Sequence, residues 1–439
     1  MMMFCVPLLA RSIADRYKDL LGSVPYSVLC AYIALCLFGI DSLADLVRCA
    51  PWTRSLSTLS DGLSKIAPEN LNRAMRRLRW SVLKKVRKNP DDWAFFFDTT
   101  ANPKRVDGLP GRSMWATSKG NVYDGRNLVV LVVVNKKTGA AIPIAWAPCI
   151  KEKDDKVNGK MAWELVLDLL DLVVASDFPK LDIGGDSWFD GVQFFDELDK
   201  RGFMFNIEMK SSRTAKSNVA PNAAWKPLSM QLEGEAKKGA RAGTREPLEE
   251  QQGMQGMKYI ASRILWIRAS KAGKDGKKAT MRVRIAAVYN HQAEKTPFAF
   301  YATNNLSKSG VWQWKMARWR WNIEVLFRDL KQNLAWGKLS CESHRGCDAF
   351  IVIPFLIVAH LRLDVDSSGR RSIGEMLAEE KYSSLLRSIE FIRASPNHGL
   401  YEKFKARMSP SRACKKPVDS VAERKNVSKR QGVSKICII

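Results

Sequence analysis

The sequence lacks an apolar run long enough to cross a bilayer. The longest run, residues 27–40, falls short of the about 20 residues that a membrane span needs, and we interpret it as a buried helix. The N-terminus, MMMFCVPLLARS, lacks the basic segment and cleavage pattern of a secretory signal, and no internal repeat is evident. These absences predict an intracellular protein, located in the cytoplasm, that does not act on membranes.

Cysteines are few and scattered. The chain has nine of them, an odd number that suits reduced thiols rather than a disulfide framework. Cys341, His344 and Cys347 form a compact C-x2-H-x2-C, but no second pair of ligands follows at zinc spacing. The pattern therefore favours a loop or core role for these residues over a zinc site.

Acidic residues are outnumbered. The 71 Lys and Arg residues against 45 Asp and Glu residues give a net charge of +26, with a pI of about 9.8. Such a surplus predicts a polyanionic partner, with nucleic acid as the first choice and an anionic membrane surface as the second. The hydrophobic content of 46% is that of a folded globular protein, and 439 residues provide for about two to three domains.

Residues 1–90 show helical patterns and no alternating strand pattern. Residues 70–88 would place one apolar face inward, made by Leu71, Met75, Leu78, Val82 and Val86. The opposite face carries the cations Arg73, Arg76, Arg77, Lys84, Arg87 and Lys88. Eight basic residues and no acid occur between positions 73 and 88. A merely solvated basic face would look alike, but the charge of the whole chain favours contacts with DNA phosphates.

Strand patterns begin at Trp93. The predicted elements are the strands WAFFFDTT, 112–117 and 128–134, a helix over 161–174, a strand over 181–185, a helix over 191–200 and a strand over 203–209. This order resembles that of an RNase H-like domain, an α/β fold with a mixed sheet flanked by helices. A helix over 314–336 would be its last element.

The segment before that last helix predicts a β-rich insertion. Residues 211–256 have little periodicity and predict a long loop or mobile segment, while 258–268, 280–290 and 298–303 predict strands. Helices are expected over 349–363 and 373–393, and the basic tail from residue 401 is expected to be disordered until bound. The predicted divisions are 1–90 (helical, DNA-binding), 91–210 and 304–363 (the two parts of the core), 211–303 (insertion) and 364–439 (helical region and tail).

The predicted helix over 314–336 carries one acid among cations. Its apolar stripe contains Trp319, Ile323, Leu326, Leu330 and Leu334. Beside that stripe lies a polar band made by Arg320, Glu324, Arg328 and Lys331. Glu324 could do chemistry, or it could simply pair with Arg320 and Arg328 along the helix.

Three carboxylates occupy places that an RNase H-like fold would bring together. Asp98 ends the first strand, Asp186 follows the fourth, and Glu324 lies on the last helix. Each aspartate alone could be an ordinary strand-end or turn residue. Together they fit a two-metal site, in which carboxylates hold two divalent cations about 3.5–4 Å apart for in-line displacement at phosphorus.

At these residues the chain resembles the DDE insertion-sequence transposases marked by a Tyr-x2-Arg-x3-Glu-x6-Lys signature, insertion-sequence family four and its relatives. The matching segments are FFFDTT, GGDSWFD and RWRWNIEVLFRDLK, in which Arg320, Glu324 and Lys331 stand at the signature spacing. The resemblance covers about residues 50–362. Ala317 departs from it, because the signature tyrosine would fall there; Trp314 or Trp321 could replace its phosphate contact.

The resemblance implies a transposase that binds inverted terminal repeats, cleaves the element ends with Mg²⁺ or Mn²⁺, and joins the 3′ hydroxyls to target DNA. Asp98, Asp186 and Glu324 would be the metal ligands, and Arg320 and Lys331 would hold phosphates. Trp188 is a candidate for stacking on a base. A homodimer on double-stranded DNA, associated with the bacterial nucleoid, is also implied. Two alternatives stay open: a non-catalytic DNA-binding derivative, and a nuclease without strand transfer.

Overall fold

A twelve-stranded mixed sheet runs through the described part of the computed structural model. The described residues are 7–18, 24–40, 46, 58–59, 61–62, 65–102, 109–116, 120–151, 154–155, 159–217, 224–233, 246–248, 258–269, 278–291, 296–336, 344–365 and 371–394. The predictions for the tail from residue 401, for Cys341 and for parts of 211–256 fall outside these residues.

The first half of the sheet contains four strands in antiparallel pairing, followed by two strands in parallel pairing. Its strands are β1 (Trp93–Asn102), β2 (Arg112–Ala116), β3 (Val122–Asn135), β4 (Ala141–Pro148), β5 (Asp182–Gly185) and β6 (Phe205–Met209). β3 pairs antiparallel with β1, β2 and β4, while β5 lies parallel to both β1 and β6. The order β4-β3-β1-β5-β6 is consistent with an RNase H-like domain.

The sequence pattern predicts no strand over β4, and this prediction is wrong. Pro143 and Pro148 interrupt the β pattern, because a proline removes a backbone donor from the ladder. β4 accommodates both prolines at an edge of the sheet, since within the described residues it pairs with β3 alone. β4 is therefore an antiparallel strand that the sequence pattern does not predict. The strand predicted over 112–117 is β2, which lies at the end of the strand order.

The strands that follow β6 extend the same sheet. The three predicted strands are confirmed as β10 (Lys258–Arg268), β11 (Thr280–Tyr289) and β12 (Ala299–Thr303), and β12 pairs antiparallel with β6. The prediction of one long loop over 211–256 is wrong for the described part of that segment. It contains β7 (Thr214–Ser217), β8 (Lys226–Pro227), α6 (Leu228–Glu233) and β9 (Glu246–Leu248). Elements this short do not span enough positions to show a period.

Helices precede the sheet, connect its strands and follow it. They are α1 (Leu8–Tyr17), α2 (Tyr26–Phe38), α3 (Pro68–Val86), α4 (Ala162–Val174), α5 (Val192–Lys200), α7 (Gly310–Asn333), α8 (His344–His360) and α9 (Ile373–Ala394). α4 packs on β3 and β4, α8 packs on α2 and α3, and α7 crosses β1, β5, β6 and β12. The predicted burial of α2 and of the apolar face of α3 is confirmed.

One helical segment in the described residues, His344–Val365, is long and apolar enough to cross a membrane by length and composition. This segment, with 22 residues, is longer than the apolar run at 27–40 that the sequence analysis identified. However, 89% of its apolar window is buried against the rest of the protein. Cys347 at its start is buried while His344 is exposed, so these two residues of the C-x2-H-x2-C face different surroundings.

Candidate active site

The pairing of β1 with β5 brings two of the predicted acids to the same level. Phe96 pairs with Gly184. Asp98 lies two residues further along β1, and Asp186 lies two residues after Gly184, just past the end of β5. A Cβ on Gly184 would come within 2.2 Å of the Phe96 ring. A side chain there would displace that ring, so glycine permits the close packing that sets the two carboxylates side by side.

Backbone N–H groups hold both aspartates. The Thr99 N–H donates to Asp98 Oδ1 at 2.7 Å, and the Trp188 N–H donates to Asp186 Oδ1 at 3.1 Å. Asp186 thereby caps the short 3₁₀ turn Ser187–Phe189. Each carboxylate keeps a second oxygen for another partner.

The helix α7 supplies the third acid. It begins four residues before the predicted start at Trp314, where the Ser309 hydroxyl accepts the Trp312 N–H. Its apolar stripe is buried as predicted, apart from the half-buried Trp319. This orientation leaves Arg320 and Glu324, one turn apart, facing the ends of the strands.

Arg320 joins the helix acid to a strand acid. Its Nη2 lies 3.1 Å from Glu324 Oε1, and its Nη1 lies 3.9 Å from Asp98 Oδ2. Glu324 therefore makes the expected helical pair with Arg320. Within the described α7 it does not pair with Arg328. Arg328 is exposed, and its charge opposes the rise that burial causes in the pKa of Asp329.

The pKa values of the two aspartates are raised by burial and adjusted by neighbouring charges. Burial raises the pKa of Asp98 to about 7, and the neighbouring Asp186 and, more weakly, Glu324 add to the rise, while the Thr99 N–H and Arg320 oppose it. The pKa of Asp186 is also raised, chiefly by burial and against the attraction of Arg320. A cluster of carboxylates that resist ionisation together is a place where added positive charge is favoured.

The donor set suits a hard divalent cation, because all three groups offer carboxylate oxygen. As arranged, however, no three His, Cys, Asp or Glu side chains among the described residues lie close enough together to hold a metal ion. The guanidinium of Arg320 lies near both Asp98 and Glu324. The side chains of Asp98, Asp186 and Glu324 therefore have the ligand chemistry that Mg²⁺ prefers.

The acids at Asp186 and Glu324 lie inside a known family domain. A family model described as the transposase DDE domain matches residues 115–358 of the chain. The chain belongs to this family. It is thereby a transposase-type nuclease of DNA recombination, whose substrate is DNA. The match begins after Asp98, so the inclusion of Asp98 depends on the geometry. A comparison with curated proteins found no match.

Two further polar residues belong to the centre of the DDE domain. Lys331 is half-buried, and burial lowers its pKa although Asp98 attracts its charge. Glu208 on β6 was not predicted: Ile207 pairs with Gly185, so Glu208 stands level with Asp186. Burial raises the pKa of Glu208, Arg320 opposes the rise and Asp186 adds to it. An acid inside the buried strand FNIEM was the signal available in the sequence.

The other predicted contacts of the DDE transposase lie outside this centre. Trp188 is 71% exposed, and the Lys210 ammonium lies 5.9 Å from the centre of its ring. The six predicted cations on α3 and just after its end are exposed, and α3 packs against α8 and β4. Trp80, which the sequence analysis did not single out, is half-exposed among them, with Lys84 and Arg87 near its ring.

Proposed function

We propose that this protein binds the inverted terminal repeats of a mobile element, cleaves the element ends and joins the resulting 3′ hydroxyls to target DNA. The observation that carries the proposal is the gathering of Asp98, Asp186 and Glu324 around Arg320. Within the DDE family, the spacing of Arg320, Glu324 and Lys331 supports the Tyr-x2-Arg-x3-Glu-x6-Lys group.

Each residue has a distinct role in this proposal. Asp98, Asp186 and Glu324 would hold the metal, and Glu208 would balance the charge of Arg320. When bound, a pair of Mg²⁺ ions, or Mn²⁺ in their place, would neutralise charge at phosphorus and activate a water or a 3′ hydroxyl. Arg320 would then turn from the acids to a DNA phosphate, where a planar guanidinium can donate two hydrogen bonds. Lys331 would hold a second phosphate as a point charge.

Ala317 marks the departure from the signature. It packs against a cluster that includes Tyr301 and Trp314, and Trp314 is only 9% exposed. Trp321 is 57% exposed and is therefore better placed to meet DNA in place of the tyrosine. This departure is the observation that favours the second candidate function, a DNA-binding derivative that no longer cleaves.

Binding of DNA would extend over several regions. Residues 1–90 would form the DNA-binding domain, 91–210 and 304–363 the catalytic core, 211–303 the insertion and 364–439 a helical and basic end. The exposed cations of α3 and the exposed ring of Trp188 support this assignment of DNA contacts to several regions. Since two element ends must be handled together, a homodimer is proposed for the DNA complex.

The test uses the full chain, Mg²⁺, a labelled DNA that carries the element's own ends, and a supercoiled target plasmid. Wild type is compared with Asp186→Ala. Joined products that vanish in the variant would support the proposal. Cleavage without joined products would indicate a nuclease, and retarded DNA without cleavage would favour the binding-only derivative.

A further inference from the structure

A pocket of about 380 Å³ opens between α3 and the edge strand β4. Asn72, Arg76 and Arg79 line it from α3, Trp146 lines it from β4, and Leu172 lines it from α4. The first three residues recur at helical spacing, so one face of α3 presents them together. The pocket is distinct from the acidic centre, the site formed by Asp98, Asp186 and Glu324.

The pocket is lined by a buried arginine that has no acidic partner among the described residues. Arg79 is only 6% exposed, and its Nη1 donates a hydrogen bond of 3.3 Å to the Ile144 carbonyl. Its buried Nε has no hydrogen-bond partner in the part of the chain that the structure describes. In the described part of the chain no carboxylate lies within ion-pair distance of it. A buried cation in this state is costly, so an anion that reached it would be held strongly.

The neighbours of Arg79 strengthen the case for an anion. Arg76 is exposed at the mouth of the pocket, and burial together with Arg76 lowers the pKa of Arg79. Two cations that repel each other around a pocket with no acid among its described lining residues would both gain from a shared anion. The Asn72 amide can donate a further hydrogen bond, while Trp146 and Leu172 offer apolar walls.

The position of the pocket connects it to the substrate. Asp98 pairs with Val130, and Val130 pairs with Trp146, so Trp146 lies two strands from Asp98 in one row of the sheet. Two strand spacings are roughly 10 Å. The exposed cations of α3 continue from the mouth of the pocket across the surface.

We propose that this pocket binds a phosphate group, with Arg79 and Arg76 as the principal donors and Asn72 as an additional one. The phosphate can belong to the DNA backbone or be free in solution. The row shared with Asp98 and the surrounding cations favour a DNA phosphodiester. That assignment rests on the proposed function, whereas binding of the phosphate itself does not.

The first experiment measures the melting temperature of the full chain while inorganic phosphate replaces chloride at constant ionic strength. We expect phosphate to raise the melting temperature of wild type by about 2 °C. Arg76→Ala, at the pocket mouth, should lose the response, and Arg79→Lys should weaken it by losing the planar fork. Lys85→Ala is the matched control, because it removes one exposed charge from the same helix outside the pocket. An equal response in wild type and Arg76→Ala would overturn the proposal.

The second experiment distinguishes the two sources of phosphate. Duplexes that each carry one uncharged methylphosphonate are bound to wild type and to Arg76→Ala. A DNA phosphate in the pocket predicts one position that weakens wild-type binding by about tenfold and has little effect in the variant. No such position, together with a normal response to inorganic phosphate, would overturn the DNA assignment. Asp186→Ala should behave like wild type here, so failure of cleavage and failure of the pocket are separable.

Discussion

The acidic centre and the cationic face of α3 are built in opposite ways. The acids come from strands and a helix far apart in sequence, and burial raises the pKa of both Asp98 and Asp186. The cations of α3 come from one continuous helix and are exposed, so water and salt screen them from one another. One change should therefore disable the centre, whereas the cationic face should lose function gradually.

The largest effect is expected from Glu324→Gln. It removes one carboxylate charge while keeping the shape of the side chain, so cleavage should fall on the order of 1,000-fold, equivalent to about 4 kcal/mol of barrier. DNA binding should stay within about twofold of wild type. Cleavage and retardation of the same labelled DNA provide both measurements. A variant that cleaves at the wild-type rate would contradict the role of Glu324.

The next effect concerns pH. With a pKa raised to about 7 by burial, Asp98 is mostly protonated at pH 6 and mostly ionised at pH 8 in the metal-free protein. A metal ligand must be deprotonated, so the Mg²⁺ concentration for half-maximal cleavage should fall as pH rises. Well below the pKa the change should approach about tenfold per pH unit. Titrations of Mg²⁺ at fixed pH values test this, and a flat requirement between pH 6 and pH 8 would refute it.

A smaller effect is expected from Glu208→Gln. Loss of this charge would leave Arg320 more strongly attracted to Asp98 and Glu324, in competition with the metal. The Mg²⁺ requirement should rise about tenfold, as for other groups that orient metal ligands, while DNA binding is unchanged. Glu197→Gln is the control, since Glu197 pairs with Lys200 and Arg201 on the surface. An equal Mg²⁺ requirement in both variants would exclude Glu208 from the centre.

The smallest effect is expected from Arg77→Ala on the cationic face. Loss of one exposed phosphate contact should weaken DNA binding only a few-fold, and should lower the slope of log affinity against log salt by about 1. Cleavage at saturating DNA should be unaffected. Binding curves at several salt concentrations give the slope. An unchanged slope would show that this face does not meet DNA.

The main elements and the three acids could be predicted from the sequence because each has a strong local pattern. WAFFFDTT and LVVLVVV are buried strands, and α7 has a clear apolar stripe. The acids stand where such elements end or face the sheet. The local patterns could not predict the contact between Arg320 and Asp98, because these residues lie far apart in the chain.

Other features could not be predicted because the local sequence pattern and the position in the folded protein favour different interpretations of the same residues. β4 is a strand with two prolines, and its edge position, which makes them tolerable, is a property of the whole sheet. Glu208 fits the ordinary alternation of apolar and polar residues in a short strand. Arg79 counts among the cations of a basic helix, yet it is buried against β4. Burial of a charged residue follows from its neighbours in space rather than from its neighbours in sequence.

The pairing of β12 with β6 has a consequence for the order in which the protein is made. The strands with Asp98 and Asp186 leave the ribosome long before β12 can close against β6 and before α7 exists. Closure over so long a segment is entropically costly and slow. A nascent chain therefore holds two acids without the third. Nuclease activity should arise only after the chain has been synthesised through α7 and the sheet has been completed.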